Sequence, residues 1–194
     1  MDDLPNAPVN LPNSITVCRI ILAPVMLVLA RAGMEHAFLA CLIASLISDI
    51  VDGQIARRMN LTSEFGSKLD SWADMLTYGL VPIAAWWLRP DLISSERAAF
   101  FTAVGSYAIP VAIGFAKFRR LTSYHTFMAR VSAYLVGASV VLLFAHGPTL
   151  PFRISVAVLV AAEAEEIAIT LVLPEPRSNV RSVARALEIR RAAA

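Results

Sequence analysis

Long apolar runs alternate with short polar breaks along this chain, and six of the runs are long enough to cross a membrane as helices. The first extends from about Ser14 to Ala30, after Pro12. The second, about His36 to Arg58, is interrupted by Asp49 and Asp52. Asn60-Leu-Thr-Ser63 forms a short turn, with Thr62 or Ser63 as N-cap of the third run, which ends at Leu88 before Arg89-Pro90. The fourth covers about Glu96 to Phe115, with Pro110 as a kink site. The fifth covers Phe127 to Phe144 and stops before His146-Gly-Pro148. The sixth covers Phe152 to Leu173 and stops at Pro174. The expected fold class is all-α: a polytopic membrane protein of six transmembrane helices.

Composition agrees. Hydrophobic residues make up 57% of the 194 and charged residues 16%, against about a quarter in a soluble domain. Six spans and their loops nearly fill the chain, so a single membrane domain over residues 1–194 is expected, ending in a basic tail at 174–194. Cys18 and Cys41 lie in apolar runs without CxxC spacing, so packing is expected rather than a disulfide or zinc site. The first fourteen residues hold Asp2, Asp3 and no Lys or Arg, unlike the basic start of a secretory signal. A net charge of +2 gives no reason to expect a nucleic-acid partner.

Orientation follows from basic residues in the loops. One side holds Arg57, Arg58, Lys68, Lys117, Arg119, Arg120, Arg177, Arg181, Arg185, Arg190 and Arg191, eleven in all. The other holds four: Arg31, Arg89, Arg97 and Arg153. Both termini, and a polar cavity near the turn at residue 60, are therefore expected to face the cytoplasm.

That cavity is expected because Asp49, Asp52, Asp70 and Asp74 fall in mostly apolar sequence, where a carboxylate is costly and marks a functional site. Asp52 precedes Asn60 by eight residues and Asp70 follows Ser63 by seven, so each lies about 11–12 Å from the turn at about 1.5 Å per residue. Asp49 and Asp74 lie one turn deeper, and the four are expected to meet in a pocket between two antiparallel helices. Four oxygen donors suit hard divalent cations, Mg2+ or Mn2+, acting on a phosphate ester. Gly53, Ala56 and Gly66 leave room for a ligand, and Arg57 offers a planar donor to phosphate. Close helix packing explains the small residues equally, and a positive-inside flank explains Arg57. A small transporter of protons or divalent cations is the alternative use of the same carboxylates.

The run from Asp49 to Asp74 resembles the signature of the CDP-alcohol phosphotransferase family, D-x2-D-G-x2-A-R-x8-G-x3-D-x3-D, at every fixed position: Asp49, Asp52, Gly53, Ala56, Arg57, Gly66, Asp70 and Asp74. Asn13-Ser-Ile-Thr16-Val-Cys-Arg19 followed by Pro24 resembles the family's first helix. The resemblance implies a six-helix membrane enzyme, commonly a homodimer among membrane lipids. It implies phosphatidyl transfer from CDP-diacylglycerol to a small hydroxyl acceptor with release of CMP. It also implies Asp49, Asp52 and Asp70 as metal ligands, Asp74 as the base that deprotonates the acceptor and a further metal ligand, and Gly53, Ala56, Arg57 and Gly66 beside the cytidine nucleotide.

Serine, glycerol 3-phosphate and inositol phosphate all remain open as acceptor. Asp70-Ser71-Trp-Ala-Asp74-Met75 departs from the D-P-x-A-D-K of phosphatidylglycerophosphate synthases and looks more like the serine-transferring branch. Lys117, Arg119, Arg120 and Arg130 form a second basic cluster, either a positive-inside loop or a site for an anionic acceptor group. Arg130, inside an apolar helix, is expected to need a buried partner. Glu163, Glu165 and Glu166 interrupt the sixth run; pairing with Arg130, lining the cavity and a dimer contact are all open. Arg177, Arg181 and Arg185 make a basic stripe, resting on anionic lipid or merely solvated.

Overall fold

Eight α-helices account for the regular structure among the described residues, which in this computed structural model are 11–59, 63–119, 124, 126–175, 180 and 182–192. They are α1 (Leu11–Arg31), α2 (Glu35–Arg58), α3 (Glu64–Leu88), α4 (Pro90–Ser95), α5 (Arg97–Phe118), α6 (Phe127–Phe144), α7 (Leu150–Val172) and α8 (Val183–Ala192). The chain divides into two compact units, residues 1–94 and 95–194.

In the first unit α1 packs against both α2 and α3. Its core is built from Ala23, Met26, Ala30, Phe38, Leu42, Ala73, Leu80, Ala84 and Ala85. The alanines let helix backbones approach closely. The α1–α2 connection is tight because Gly33 (φ 73°) ends α1 in the left-handed region, with Gly33 N donating to Ala30 O and Met34 N to Leu29 O. Those two bonds form a Schellman cap, which glycine enters without steric penalty. At the start of α3, Ser63 Oγ accepts from Gly66 N at 3.0 Å, so Ser63 is the N-cap. At the other end of the unit, the Arg31 guanidinium lies over the Trp87 ring and Arg89 pairs with Glu35.

In the second unit α7 packs against α5, α6 and α8. Thr126 Oγ1 caps α6 by accepting from Ala129 N. His146 (φ 58°) and Gly147 close α6 with the same Schellman bonds, to Leu143 O and Leu142 O. Ser139 and Ser155 bond across α6 and α7 at 2.9 Å. Glu96, buried before α5, accepts two hydrogen bonds of 2.8 Å from Arg153 on α7.

The sequence reading needs correction at two places. Arg89-Pro90 stops α3 but also starts α4, since proline at a first helical position loses no bond it would otherwise make. The tail is not simply polar: Val180 and Ala186 are buried with Tyr124, Ile169 and Leu173, and Val183 and Ile189 pack beside them. This apolar face docks α8 on α7.

Among the described residues, four helices are long and apolar enough to cross a membrane: Pro12–Arg31, Glu35–Ala56, Arg97–Phe118 and Phe127–Phe144. On α1, Val17, Ile21, Val25 and Val28 form an exposed apolar stripe at helical spacing, which water solvates poorly and lipid well. α3 and α7, at 25 and 23 residues, also reach the length of a span; α7 is interrupted by Glu163, Glu165 and Glu166.

Candidate active site

The four aspartates meet, and they meet around an arginine. α2 contributes Asp49 and Asp52, α3 contributes Asp70 and Asp74, and α1 contributes Thr16 and Arg19, three apart and so on one face. The expectation of a pocket walled by α2 and α3 alone is therefore corrected: α1 is a third wall and supplies its central side chain. Arg19 Nη1 donates to Asp49 Oδ1 at 2.6 Å and to Asp74 Oδ1 at 3.3 Å. Arg19 Nη2 donates to Asp70 Oδ1 at 2.5 Å and to Asp52 Oδ2 at 3.1 Å.

Exposure divides the cluster into a floor and a mouth. The side chains of Arg19 and Asp52 are 3% and 5% exposed, whereas those of Asp49, Asp70 and Asp74 are 36%, 42% and 39% exposed. Asp52 is engaged by the protein, taking Thr16 Oγ1 at 3.0 Å as well as Arg19. The three mouth carboxylates each offer an oxygen within 4.8 Å of the other two. Four carboxylates against one guanidinium leave three negative charges uncompensated. Arg19 Nε is buried without a hydrogen-bond partner. An all-oxygen donor set and an excess of carboxylates over the one guanidinium fit a divalent cation of the Mg2+ or Mn2+ class.

Gly66 lies beside the site against α1, where Asn13 closes off the space a side chain would need. Gly53 and Ala56 are half-buried on α2, beyond Asp52. Arg57 continues α2, and its side chain lies outside the described residues.

The basic cluster does not assemble as one group among the described residues. Lys117 Nζ donates to Thr170 O, Leu171 O and Leu173 O at 2.9, 2.9 and 2.8 Å. All three ammonium protons thus cap the C-terminus of α7, whose last carbonyls have no intrahelical partner. Arg119 ends α5 in the left-handed region and is exposed; Arg120 lies outside the described residues. Arg130 is exposed on α6, not buried, and among the described residues no ion pair joins it to Glu163 or Glu166. Among the described residues, the buried arginine is Arg19, inside the first apolar run. The signal was a permanent charge in an apolar helix, the same one that drew attention to Arg130.

A family model described as CDP-alcohol phosphatidyltransferase matches residues 9–172. Over 78 residues the chain is 41% identical to a CDP-diacylglycerol–glycerol-3-phosphate 3-phosphatidyltransferase of Rickettsia typhi, covering 38% of this chain and 43% of that one. Over 73 residues it is 40% identical to a CDP-diacylglycerol–serine O-phosphatidyltransferase of Helicobacter pylori, covering 37% and 30%. A serine O-phosphatidyltransferase of Mycobacterium leprae is 31% identical over 130 residues, covering 66% and 41%. The matched stretch spans less than half the length of each of these relatives. No solved structure gives a significant match.

Proposed function

Because the chain belongs to the CDP-alcohol phosphatidyltransferase family, we propose that it transfers the phosphatidyl group of CDP-diacylglycerol to the hydroxyl of a small polar acceptor and releases CMP. The observation that carries this reading is the meeting of Asp49, Asp70 and Asp74, from two helices, at one open mouth. The transporter alternative has nothing in its favour beyond the carboxylates themselves.

Asp49, Asp52 and Asp70 hold the divalent cation in this reading, and Asp74 contributes an oxygen while serving as base. A bound cation neutralises charge on the diphosphate and on departing CMP. Asp74 takes the acceptor's hydroxyl proton as that oxygen bonds to the phosphorus bearing diacylglycerol, and the bond from that phosphorus to CMP breaks. Gly53 and Ala56 leave the nucleotide room, Gly66 serves instead to let α1 approach α3, and Arg57 donates to the nucleotide's phosphate. With Lys117 engaged on α7, Arg119, Arg120 and Arg130 are the candidates for an anionic acceptor group.

α3 and α7 complete six spans, and the excess of basic residues on one side turns both termini and the site toward the cytoplasm. The enzyme works as a homodimer, as the family resemblance implies. Relatives that use glycerol 3-phosphate and serine match at 41% and 40% identity, so identity does not choose between acceptors. CMP release from CDP-diacylglycerol with Mg2+, in the presence of serine, glycerol 3-phosphate or inositol phosphate in turn, tests both the reaction and the acceptor. One acceptor should stimulate release strongly; no release with any of them would defeat the reading.

A further inference from the structure

Arg19 binds the very oxygens that a cation would use. Its two terminal nitrogens donate to all four aspartates, including the three whose oxygens cluster within 4.8 Å. A guanidinium carries five N–H donors and keeps its charge at any relevant pH. Four are engaged on the carboxylates, and the fifth, on Nε, is buried with no partner. The arginine is nearly satisfied, whereas each acid takes a single bond from it and the carboxylates remain in excess. A structural ion pair usually matches one guanidinium to one carboxylate in a bidentate fork. Here a single side chain holds four acids from two helices, three of them open to solvent. Without a cation those acids repel one another, and Arg19 is the positive charge placed among them.

We infer that Arg19 is a positioning residue that stands in for the divalent cation. It holds Asp49, Asp70 and Asp74 together while the metal is absent and yields them as the metal binds. The inference rests on the metal role proposed above. It follows that Arg19 lowers the affinity of the site for its cation, because an incoming ion competes for the same lone pairs and meets a fixed positive charge. Arg19 thereby keeps the empty site assembled and makes cation entry dependent on the movement of one buried side chain.

The test is Mn2+ binding to the purified full-length chain in detergent, followed by electron paramagnetic resonance, for wild type, Arg19→Gln and Arg19→Lys. Arg19→Gln should bind Mn2+ at least about tenfold more tightly, a modest part of the repulsion a unit charge exerts on a divalent ion a few ångströms away. Arg19→Lys should fall between, since an ammonium keeps the charge but lacks the fork. The wild-type protein supplies a readout that does not depend on a variant folding. With isotope-labelled arginine, saturating Mg2+ should shift a guanidinium C–N band in the infrared difference spectrum. Equal or weaker Mn2+ binding by folded Arg19→Gln, or a silent wild-type spectrum at Mg2+ saturation, would overturn the inference. Absence of Mn2+ binding by all three proteins would overturn the metal site itself, an outcome distinct from equal binding.

Discussion

Asn13 fills the space beside Gly66: a β-carbon on residue 66 would lie 2.7 Å from Asn13 Oδ1 and 3.1 Å from Ser63 Oγ. Asn13 is buried on the first turn of α1, and Ser63 caps α3 through the Gly66 N–H. The glycine therefore sets how closely α1 approaches α3. That approach fixes where Arg19 meets Asp70 and Asp74.

Gly66→Ala should destabilise the protein by about 1–3 kcal/mol, the range for overpacking a tight contact. Asn13→Ala removes the obstructing amide. In a double-mutant cycle the two changes should couple by about 0.5 kcal/mol or more, the paired loss being smaller than the sum. Strictly additive losses in denaturant unfolding would show that the contact relaxes freely.

Lys117→Met leaves three carbonyls at the end of α7 without their donor. A loss of about 1–3 kcal/mol is expected for leaving such acceptors unsatisfied. Amide exchange should quicken in the last turn of α7 and in α8, which packs there. The acceptor KM should stay near wild type, because the ammonium is already engaged. A large rise in KM with unchanged exchange would return Lys117 to the acceptor site.

The Glu96–Arg153 pair gives stability a defined pH dependence. Hydrogen bonds from the Arg153 guanidinium hold Glu96 below its ordinary value of 4.5. A depressed carboxylate contributes stability above its unfolded pKa and loses it as pH falls through the folded one. Wild type should therefore unfold at a higher temperature than Glu96→Gln near neutral pH. The gap should close only as pH drops below 4.5. A gap that persists unchanged well below that pH would mean that the pair contributes by packing rather than charge.

The mouth and floor of the site predict different variants. Asp74→Asn keeps shape but accepts no proton, so turnover should fall about 10²–10⁴-fold while CDP-lipid binding stays within a few-fold of wild type. Asp49→Asn should lose Mg2+-dependent CDP-lipid binding as well. Asp52→Asn should also weaken that binding, and because it removes the buried charge to which Arg19 and Thr16 donate, it should lower stability more than either. Calorimetry with CDP-lipid, with and without Mg2+, together with thermal unfolding, separates the three. Equal loss of binding in Asp74→Asn and Asp49→Asn would make Asp74 chiefly a metal ligand.

The long helices were legible where apolar runs ended in strong local chemistry. α6 begins and ends where the sequence reading put it, because Thr126 caps one end and His146-Gly147 the other. The aspartates were legible because carboxylates stand out in apolar sequence. Arg19 stands out in the same way, but its partners lie 30 to 55 positions away, beyond the reach of local spacing. Spacing along α2 and α3 placed Asp52 level with Asp70, and Asp49 and Asp74 one turn deeper, but could not show that α1 packs against both helices. In α8 the arginines obscured the buried spacing of Val183, Ala186 and Ile189. Arg130 drew attention by its apolar surroundings in sequence, yet its side chain is exposed.

The most direct measurement follows both products of one reaction. Full-length protein in liposomes receives CDP-diacylglycerol, Mg2+ and the acceptor that stimulates CMP release, and mass spectrometry quantifies CMP and the phosphatidyl-acceptor lipid together. The two should appear in equal amounts, with neither formed in excess EDTA and very little of either with Asp74→Asn. Full turnover in EDTA, or CMP released with phosphatidic acid and no acceptor adduct, would rule out metal-assisted phosphatidyl transfer at the four-aspartate site.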